Sequence, residues 1–228
     1  VLVGGIGGAW WWDRHQARWL ALPEEHANTQ INSLVDSPDG PIAASSKGLW
    51  WWDGKQWRRP PWGDSLARAR VESLFRDGDK QLWIATTAGL YRQFGKGLPS
   101  LAENSDLAAQ AWIATAFEDR EGNLWIGSYT HSLLRLWNGW TRRLSLRDGL
   151  RDAFVWSVAT DPDGGLWIGT NSGVEHFHQE RGFGQLISTR DLPDPAVYHL
   201  HASAASELLL GTRGGLIRWR TQAFDLPA

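Results

Sequence analysis

Two H-x-H pairs, His176 with His178 and His199 with His201, are the residues of this sequence most suggestive of chemistry. Alternate side chains of a strand share a face, so each pair would present two imidazoles together. Two neutral imidazoles and a carboxylate suit zinc. Neither pair has a third ligand at a suitable spacing, because Glu175 beside His176 points to the opposite face of a strand. Polar positions at strand edges are the plainer reading, and no metal is implied. The run Asp161-Pro162-Asp163-Gly164 is acidic like a calcium loop. An EF-hand loop also needs further oxygen ligands and a closing Glu about twelve positions on. Those are missing, so a tight turn is expected. There is no G-x-S-x-G, no G-x-x-x-x-G-K-[ST] and no H-E-x-x-H. The glycines of VLVGGIGG (1–8) are not followed by a helical period, so they are no dinucleotide fingerprint. With no cysteine, thiolate catalysis and Cys-ligated metal are excluded. No cofactor is implied.

The elements that would position such residues must come from 228 residues, enough for one large domain or two small ones. The chain is 42% hydrophobic and 21% charged, with a formal net charge of −2. That balance draws it to neither nucleic acid nor an anionic membrane. No apolar run is long enough to span a bilayer. The start carries no basic leader and the sequence has no methionine. We therefore expect a piece of a longer protein. The compositional outliers are 17 tryptophans and 25 glycines, which suggest many short strands, many tight turns and an aromatic core.

A repeat organises them. LWIATTAGLYR (82–92), LWIGSYTHSLLR (124–135) and LWIGTNSGVEHF (166–177) are copies of one pattern. PIAASSKGLWW (41–51), LLLGTRGGLIR (208–218) and, more weakly, VLVGGIGGAWW (1–11) align with them. The small residue of the fourth slot is Gly4, Ala44, Ala85, Gly127, Gly169 and Gly211, at intervals of 40, 41, 42, 42 and 42 residues. Each full unit opens with an apolar-alternating segment: INSLV (31–35), VESLF (71–75), IATAF (113–117), VWSVA (155–159) or VYHLH (197–201). These read as strands. An Asp- and Gly-rich turn follows, then the LWIGT strand, a short turn, the GLYR strand and a polar, variable last strand. Four strands in about 41 residues is the size of a β-propeller blade. Stacked blades bury both faces of each small sheet, which accounts for Leu124, Trp125 and Ile126 in succession. The unit boundaries are 1–29, 30–69, 70–111, 112–153, 154–195 and 196–228, read as one propeller domain or propeller fragment.

The tryptophan runs fit the same grammar. In GLWWWDGKQW (48–57) alternation sends Trp50 and Trp52 to one face and Trp51 to the other. Asp53-Gly54 is a hairpin turn, with Trp57 on the returning strand. The rings should wedge against two neighbouring blades rather than form one flat platform. The copy in unit 1 contains Trp12 and Trp19, and since units 1 and 2 lie at the N-terminal end of the arc, a missing blade there would leave rings of either unit bare.

The pattern resembles the two-component regulator propeller repeat. The residues carrying the match are Asp161, Gly164, Leu166 to Thr170 and Gly173, with Asp77, Leu82 to Thr86, Gly89 to Arg92, Asp119 and Gly122 to Gly127. The resemblance implies an all-β chain of four-stranded antiparallel blades, about five and a half of them. Unit 1 begins at its second strand, so we expect an arc of a larger propeller, seven blades being the family's usual form. It also implies a non-catalytic sensor on the periplasmic or extracellular side of a bacterial inner membrane. The parent would be membrane-anchored, with a histidine kinase or diguanylate cyclase as output and dimerisation through the parent. The partner would be a small molecule, carbohydrate or peptide, not nucleic acid. A streptogramin-lyase-like enzyme, with His131, His199 and Glu175 as its faint candidates, and a protein-interaction platform are the alternatives.

In a propeller the loops before each first strand and those between second and third strands share one face. That face would carry Lys47, Arg68, Arg70, Asp106, Gln110, Trp112, Tyr129, His131, Arg151, Asp152, Phe154, Trp156, Asn171, Asp194 and Arg213. Framework positions recur for packing, while function tends to lie in unit-specific loops. The candidate ligand-binding set is therefore Arg70, Trp112, Tyr129, His131, Phe154, Trp156, Asn171 and Arg213. Trp112 and Trp156 also suit packing between blades.

Overall fold

The computed structural model describes residues 1–13, 15–62, 66, 69–95, 97–101, 112–137, 140–161, 164–187, 190–203 and 207–220. They form six antiparallel sheets, met in sequence order as the repeat predicts, four with four strands and two with three. Each sheet is one blade of a β-propeller. By compactness the chain falls into two units, Val1–Ile113 and Ala114–Ala228.

The first unit holds β1 (Leu2–Gly5), β2 (Gly8–Trp12) and β3 (Ala17–Ala21), then β4 (Ile31–Val35), β5 (Ile42–Ser45), β6 (Gly48–Trp52) and β7 (Trp57–Arg58), then β8 (Val71–Arg76), β9 (Leu82–Thr86), β10 (Gly89–Gln93) and β11 (Ser100–Leu101). The β6–β7 hairpin turns at Asp53-Gly54 as expected. Asp53 Oδ1 accepts from the backbone N–H of Lys55 and Gln56, and Gly54 takes a positive φ of 92°. Trp50 and Trp52 are buried with Trp57, Ala9 and Leu20, whereas Trp51 is half-buried against the cluster of Leu66, Val71 and Leu74. The run therefore packs in two directions, as the alternation requires. Its copy in the first sheet behaves differently: Trp10, Trp11 and Trp12 are 45%, 44% and 59% exposed.

The second unit holds β12 (Ile113–Glu118, beginning at the junction), β13 (Leu124–Ser128), β14 (Ser132–Trp137) and β15 (Trp140–Leu144), then β16 (Val155–Thr160), β17 (Leu166–Thr170), β18 (Gly173–His178) and β19 (Gly182–Ile187), then β20 (Val197–Ser203), β21 (Glu207–Thr212) and β22 (Gly215–Arg220). Its cores lie between successive blades. Trp125, Leu133, Val155, Ile168 and Phe177 pack in one, and Trp167, Val174, Val197 and Leu210 in the next. The small fourth-slot residue marks where the next blade's first strand crosses. A Cβ on Gly127 would meet Val155 Cγ1 at 2.8 Å, and one on Gly169 would meet the Val197 carbonyl oxygen at 2.7 Å.

The LWIGT tryptophan and the turn aspartate form a clasp. Trp83 Nε1 donates to Asp77 Oδ2 at 2.8 Å and Trp125 Nε1 to Asp119 Oδ2 at 2.7 Å. A cation from the third strand covers each ring: the Arg92 guanidinium lies 4.9 Å from the Trp83 centroid and Arg135 lies 5.4 Å from that of Trp125. In the fifth blade His176 stands in the arginine's place. Its Nε2 is 2.8 Å from Asp161 Oδ2 and its ring 4.2 Å from that of Trp167.

Candidate functional site

In every blade but the first, the turn between second and third strands is built by one hydroxyl. Ser45 Oγ donates to the Gly48 carbonyl at 2.8 Å and Thr86 Oγ1 to that of Gly89 at 2.8 Å. Thr170 Oγ1 donates to the carbonyl of Gly173 at 3.2 Å, and Thr212 Oγ1 to that of Gly215 at 3.1 Å. The same oxygens accept from the N–H of Lys47, Ala88, Ser172 and Gly214. In the fourth blade the turn is one residue longer, and Ser128 Oγ accepts from both Thr130 and His131 N–H at 3.1 Å. The hydroxyl fixes the backbone, so the residue after it is free to differ: Ser46, Thr87, Tyr129, Asn171 and Arg213.

A second display position lies on the first strand of the blade. The ladder slips between Ile31 and Ser33, Val71 and Ser73, Val155 and Ser157, and Val197 and His199. The extra residue of each bulge is Asn32, Glu72, Trp156 or Tyr198. A bulge leaves one residue unpaired and re-aims its side chain.

In the second unit these two kinds of position converge. Trp156 lies edge-on between Tyr129 (centroids 4.6 Å apart, planes at 86°) and Tyr198 (4.5 Å, 74°). Its Nε1 donates to Asn171 Oδ1 at 2.6 Å. The Arg213 guanidinium carbon is 5.6 Å from the Tyr198 ring centroid. The aromatic residues and Asn171 are half-buried and Arg213 is exposed. Tyr129, Trp156, Asn171 and Arg213 are thus brought together in one cluster. Trp156 packs on display residues rather than in a blade core. Tyr198 is the member the sequence reading missed, although it occupies the same slot of VYHLH as Trp156 does of VWSVA.

The loop before β16 is tied to this site. Ser145 and Asp148 cap the short turn Leu146–Asp148, and Gly149 reverses the chain with φ 110°. Both oxygens of Glu175 accept from Arg151 N–H at 3.0 Å, and Asp152 N–H bonds the same carboxylate. Glu175 is only 3% exposed. Burial pushes its carboxyl above the usual range, against the pull of those N–H groups. Asp152 in turn accepts from Phe154 N–H at 2.9 Å and, through Oδ2, from Ser172 Oγ at 2.7 Å. Ser172 adjoins Asn171, so Glu175 and Asp152 hold loop and turn in register. Phe154 is 46% exposed at the end of this loop. His131 stays in the Tyr129 turn, its Nδ1 2.8 Å from Thr130 Oγ1.

In the first unit a different, polar group forms. Arg70 Nε pairs with Glu72 Oε1 at 2.5 Å, and Trp112 Nε1 donates to the same oxygen at 3.4 Å. Asn32 Nδ2 donates to the Val71 carbonyl at 2.7 Å and lies 3.4 Å from Glu72 Oε2. Arg70 and Trp112 therefore meet at Glu72, which the sequence reading did not single out. Trp112 is 41% exposed, outside the blade cores. Arg68, Asp106 and Gln110 lie outside the described residues. Asp194 accepts from Ala196 N–H, a local turn bond.

The two histidines of β18, His176 and His178, do different work. Burial holds His176 below its usual pKa against the pull of Asp161, while His178 Nδ1 accepts from Glu180 N–H. Among the described residues no three His, Asp or Glu side chains gather as a metal site would require. A small cleft lies at the other end of these blades, lined by Asp119, Glu121, Asp161 and Gln179. Its aspartates already serve Trp125 and His176.

No curated protein matches the chain by sequence. Among solved structures, the extracellular domain of a hybrid two-component system from B. thetaiotaomicron matches at 18% identity and TM-score 0.72, over 98% of this chain and 34% of that one. The extracellular domain of a second such system from the same organism matches at 16% identity and TM-score 0.68, over 94% and 31%. Virginiamycin B lyase from Staphylococcus aureus matches at 12% and TM-score 0.56, over 86% and 71%. At these identities the likeness shows a shared propeller fold, and the chain spans about a third of the length of the two-component domains. No helix among the described residues is long and apolar enough to cross a membrane. Residues 107–130 and 149–172 match the two-component regulator propeller family, so two segments of this β-propeller carry the two-component regulator propeller repeat.

Proposed function

We propose that this chain is the non-catalytic, ligand-sensing part of a bacterial signal-transduction protein. It lies on the periplasmic or extracellular side of the membrane, in a membrane-anchored parent that dimerises and whose output is a histidine kinase or diguanylate cyclase. The observation carrying the reading is the division of labour within each blade. Recurring hydroxyls, clasps and small crossing residues build the frame, and in four blades two positions, the bulge residue and the residue after the turn hydroxyl, display side chains that differ. In the second unit those positions gather three aromatic rings, an amide and a guanidinium. Binding sites are typically apolar and aromatic with a few placed polar groups. The Arg151 and Asp152 N–H groups already occupy Glu175, which argues against its use as a lyase acid or base. The reading is tested in the full-length parent by measuring ligand-dependent kinase or cyclase output with and without Trp156→Ala. Loss of the response is expected. A parent with no membrane segment, or an unchanged response, would overturn it.

A further inference from the structure

We propose that the Trp156 site takes a ligand bearing a carboxylate on a six-membered ring, with the ring against the Trp156–Tyr198 pair and the carboxylate on Arg213. This rests on the ligand-sensing reading above and names the class of ligand. The argument is the site's hydrogen-bond inventory. Arg213 is exposed, lies 5.6 Å from the Tyr198 centroid and forms no ion pair among the described residues. A guanidinium offers five N–H donors in a planar fork that matches a carboxylate. Asn171 gives its oxygen to Trp156, so its amide N–H₂ remains to donate. The nearby carboxylates are already engaged: Asp152 with Ser172 Oγ and Phe154 N–H, and Glu175 with the loop N–H groups. What the site presents is therefore ring surface, the spare Asn171 donors and a guanidinium, whose positive charge favours an anionic ligand over a cationic one. The electron-rich ring faces suit the C–H edge of a sugar ring or the positive edge of an aromatic one. A uronic acid and an aromatic acid share this chemistry.

Calorimetric titration of the whole chain at low salt distinguishes them, using trigalacturonate, its fully methyl-esterified form and 4-hydroxybenzoate as probes. One of the two acids is expected to bind, more weakly as salt rises, and which one binds identifies the source of the carboxylate. The ester is expected to bind at least about tenfold more weakly than the uronate if the sugar acid is the ligand. Arg213→Gln, at an exposed position, should weaken the acid about tenfold or more without changing the melting temperature. Trp156→Phe, which removes the bond to Asn171, should weaken it as well. Equal binding of acid and ester, an unchanged affinity in Arg213→Gln, or no binding of either acid would each overturn the proposal. If the ester binds as well as the acid and is lost in Trp156→Phe, the acid assignment falls while the sensing role stands, since that role is tested separately by the parent's membrane segment and output.

Discussion

Glu175 offers the sharpest test of how the candidate site is held. Its carboxylate, 3% exposed, accepts from Arg151 N–H at 3.0 Å through each oxygen and also bonds Asp152 N–H. Glu175→Ala leaves those donors without a protein partner beside a small void. A buried donor stripped of its acceptor costs about 1–3 kcal/mol. Taking about 2 kcal/mol, and about 2–4 °C per kcal/mol for a chain of this size, the melting temperature should fall by about 4–8 °C. Glu175→Gln keeps one acceptor oxygen and removes the buried charge, so at neutral pH it should stay within about 1 kcal/mol of the parent. The pH dependence separates the two contributions. Burial raises the folded-state pKa of Glu175 above its ordinary 4.5, so the folded chain holds this proton more tightly than the unfolded one. The Glu175 contribution is then greatest below pH 4.5 and is lost as pH rises through the raised value. Glu175→Gln lacks that step. Circular-dichroism melts from pH 4 to pH 7.5 should show the parent losing ground relative to Glu175→Gln as pH increases. Equal melting of Glu175→Ala and parent would refute the anchoring role. A pH-independent difference between parent and Glu175→Gln would refute the burial argument.

Three further outcomes follow from the frame. Gly169→Val should lower stability by about 1–3 kcal/mol or more in thermal melts, because its Cβ would sit 2.7 Å from the Val197 carbonyl. Asp119→Ala removes acceptors from Trp125 Nε1 and from the N–H of Glu121 and Asn123. A loss of about 2–3 kcal/mol in urea unfolding is expected, and a change below about 0.5 kcal/mol would show the clasp to be ornamental. Trp52→Ala, at a 5% exposed position, should cost about 3–5 kcal/mol, whereas Trp12→Ala, at 59% exposure, should stay within about 0.5 kcal/mol. Paired denaturant melts of the two variants check this.

How far the sequence foretold these sites depends on which physical rule governs each position. The frame was readable because packing repeats. A residue crossed by the next blade's first strand must be small, as Gly4 is beside Ile31, Gly127 beside Val155 and Gly169 beside Val197, and the turn hydroxyls recur for their hydrogen bonds. The tryptophan run of the second sheet was readable by alternation, as at Trp50 and Trp52, and the first sheet, where bare rings were expected if no blade covered them, exposes Trp10 to Trp12. The bulges were not readable. A one-residue slip alters which face a side chain joins, and nothing in VESLF or VYHLH announces that Glu72 or Tyr198 leaves the ladder. Reading by loop location found Trp112 and Trp156, which lie near strand starts, but passed over Glu72 and Tyr198, which share Trp156's slot. Reading by slot would have found them. The third residue of the first strand is Ser33, Ser73, Thr115 or Ser157 before His199, and it makes contacts to the next blade such as Ser33 Oγ to Leu74 N–H at 3.1 Å. The second residue changes from Asn32 to Glu72, Ala114, Trp156 and Tyr198. In a repeat, a position with one packing duty is held to one residue type. A position freed from the ladder is not, and so that is where a ligand can be specified.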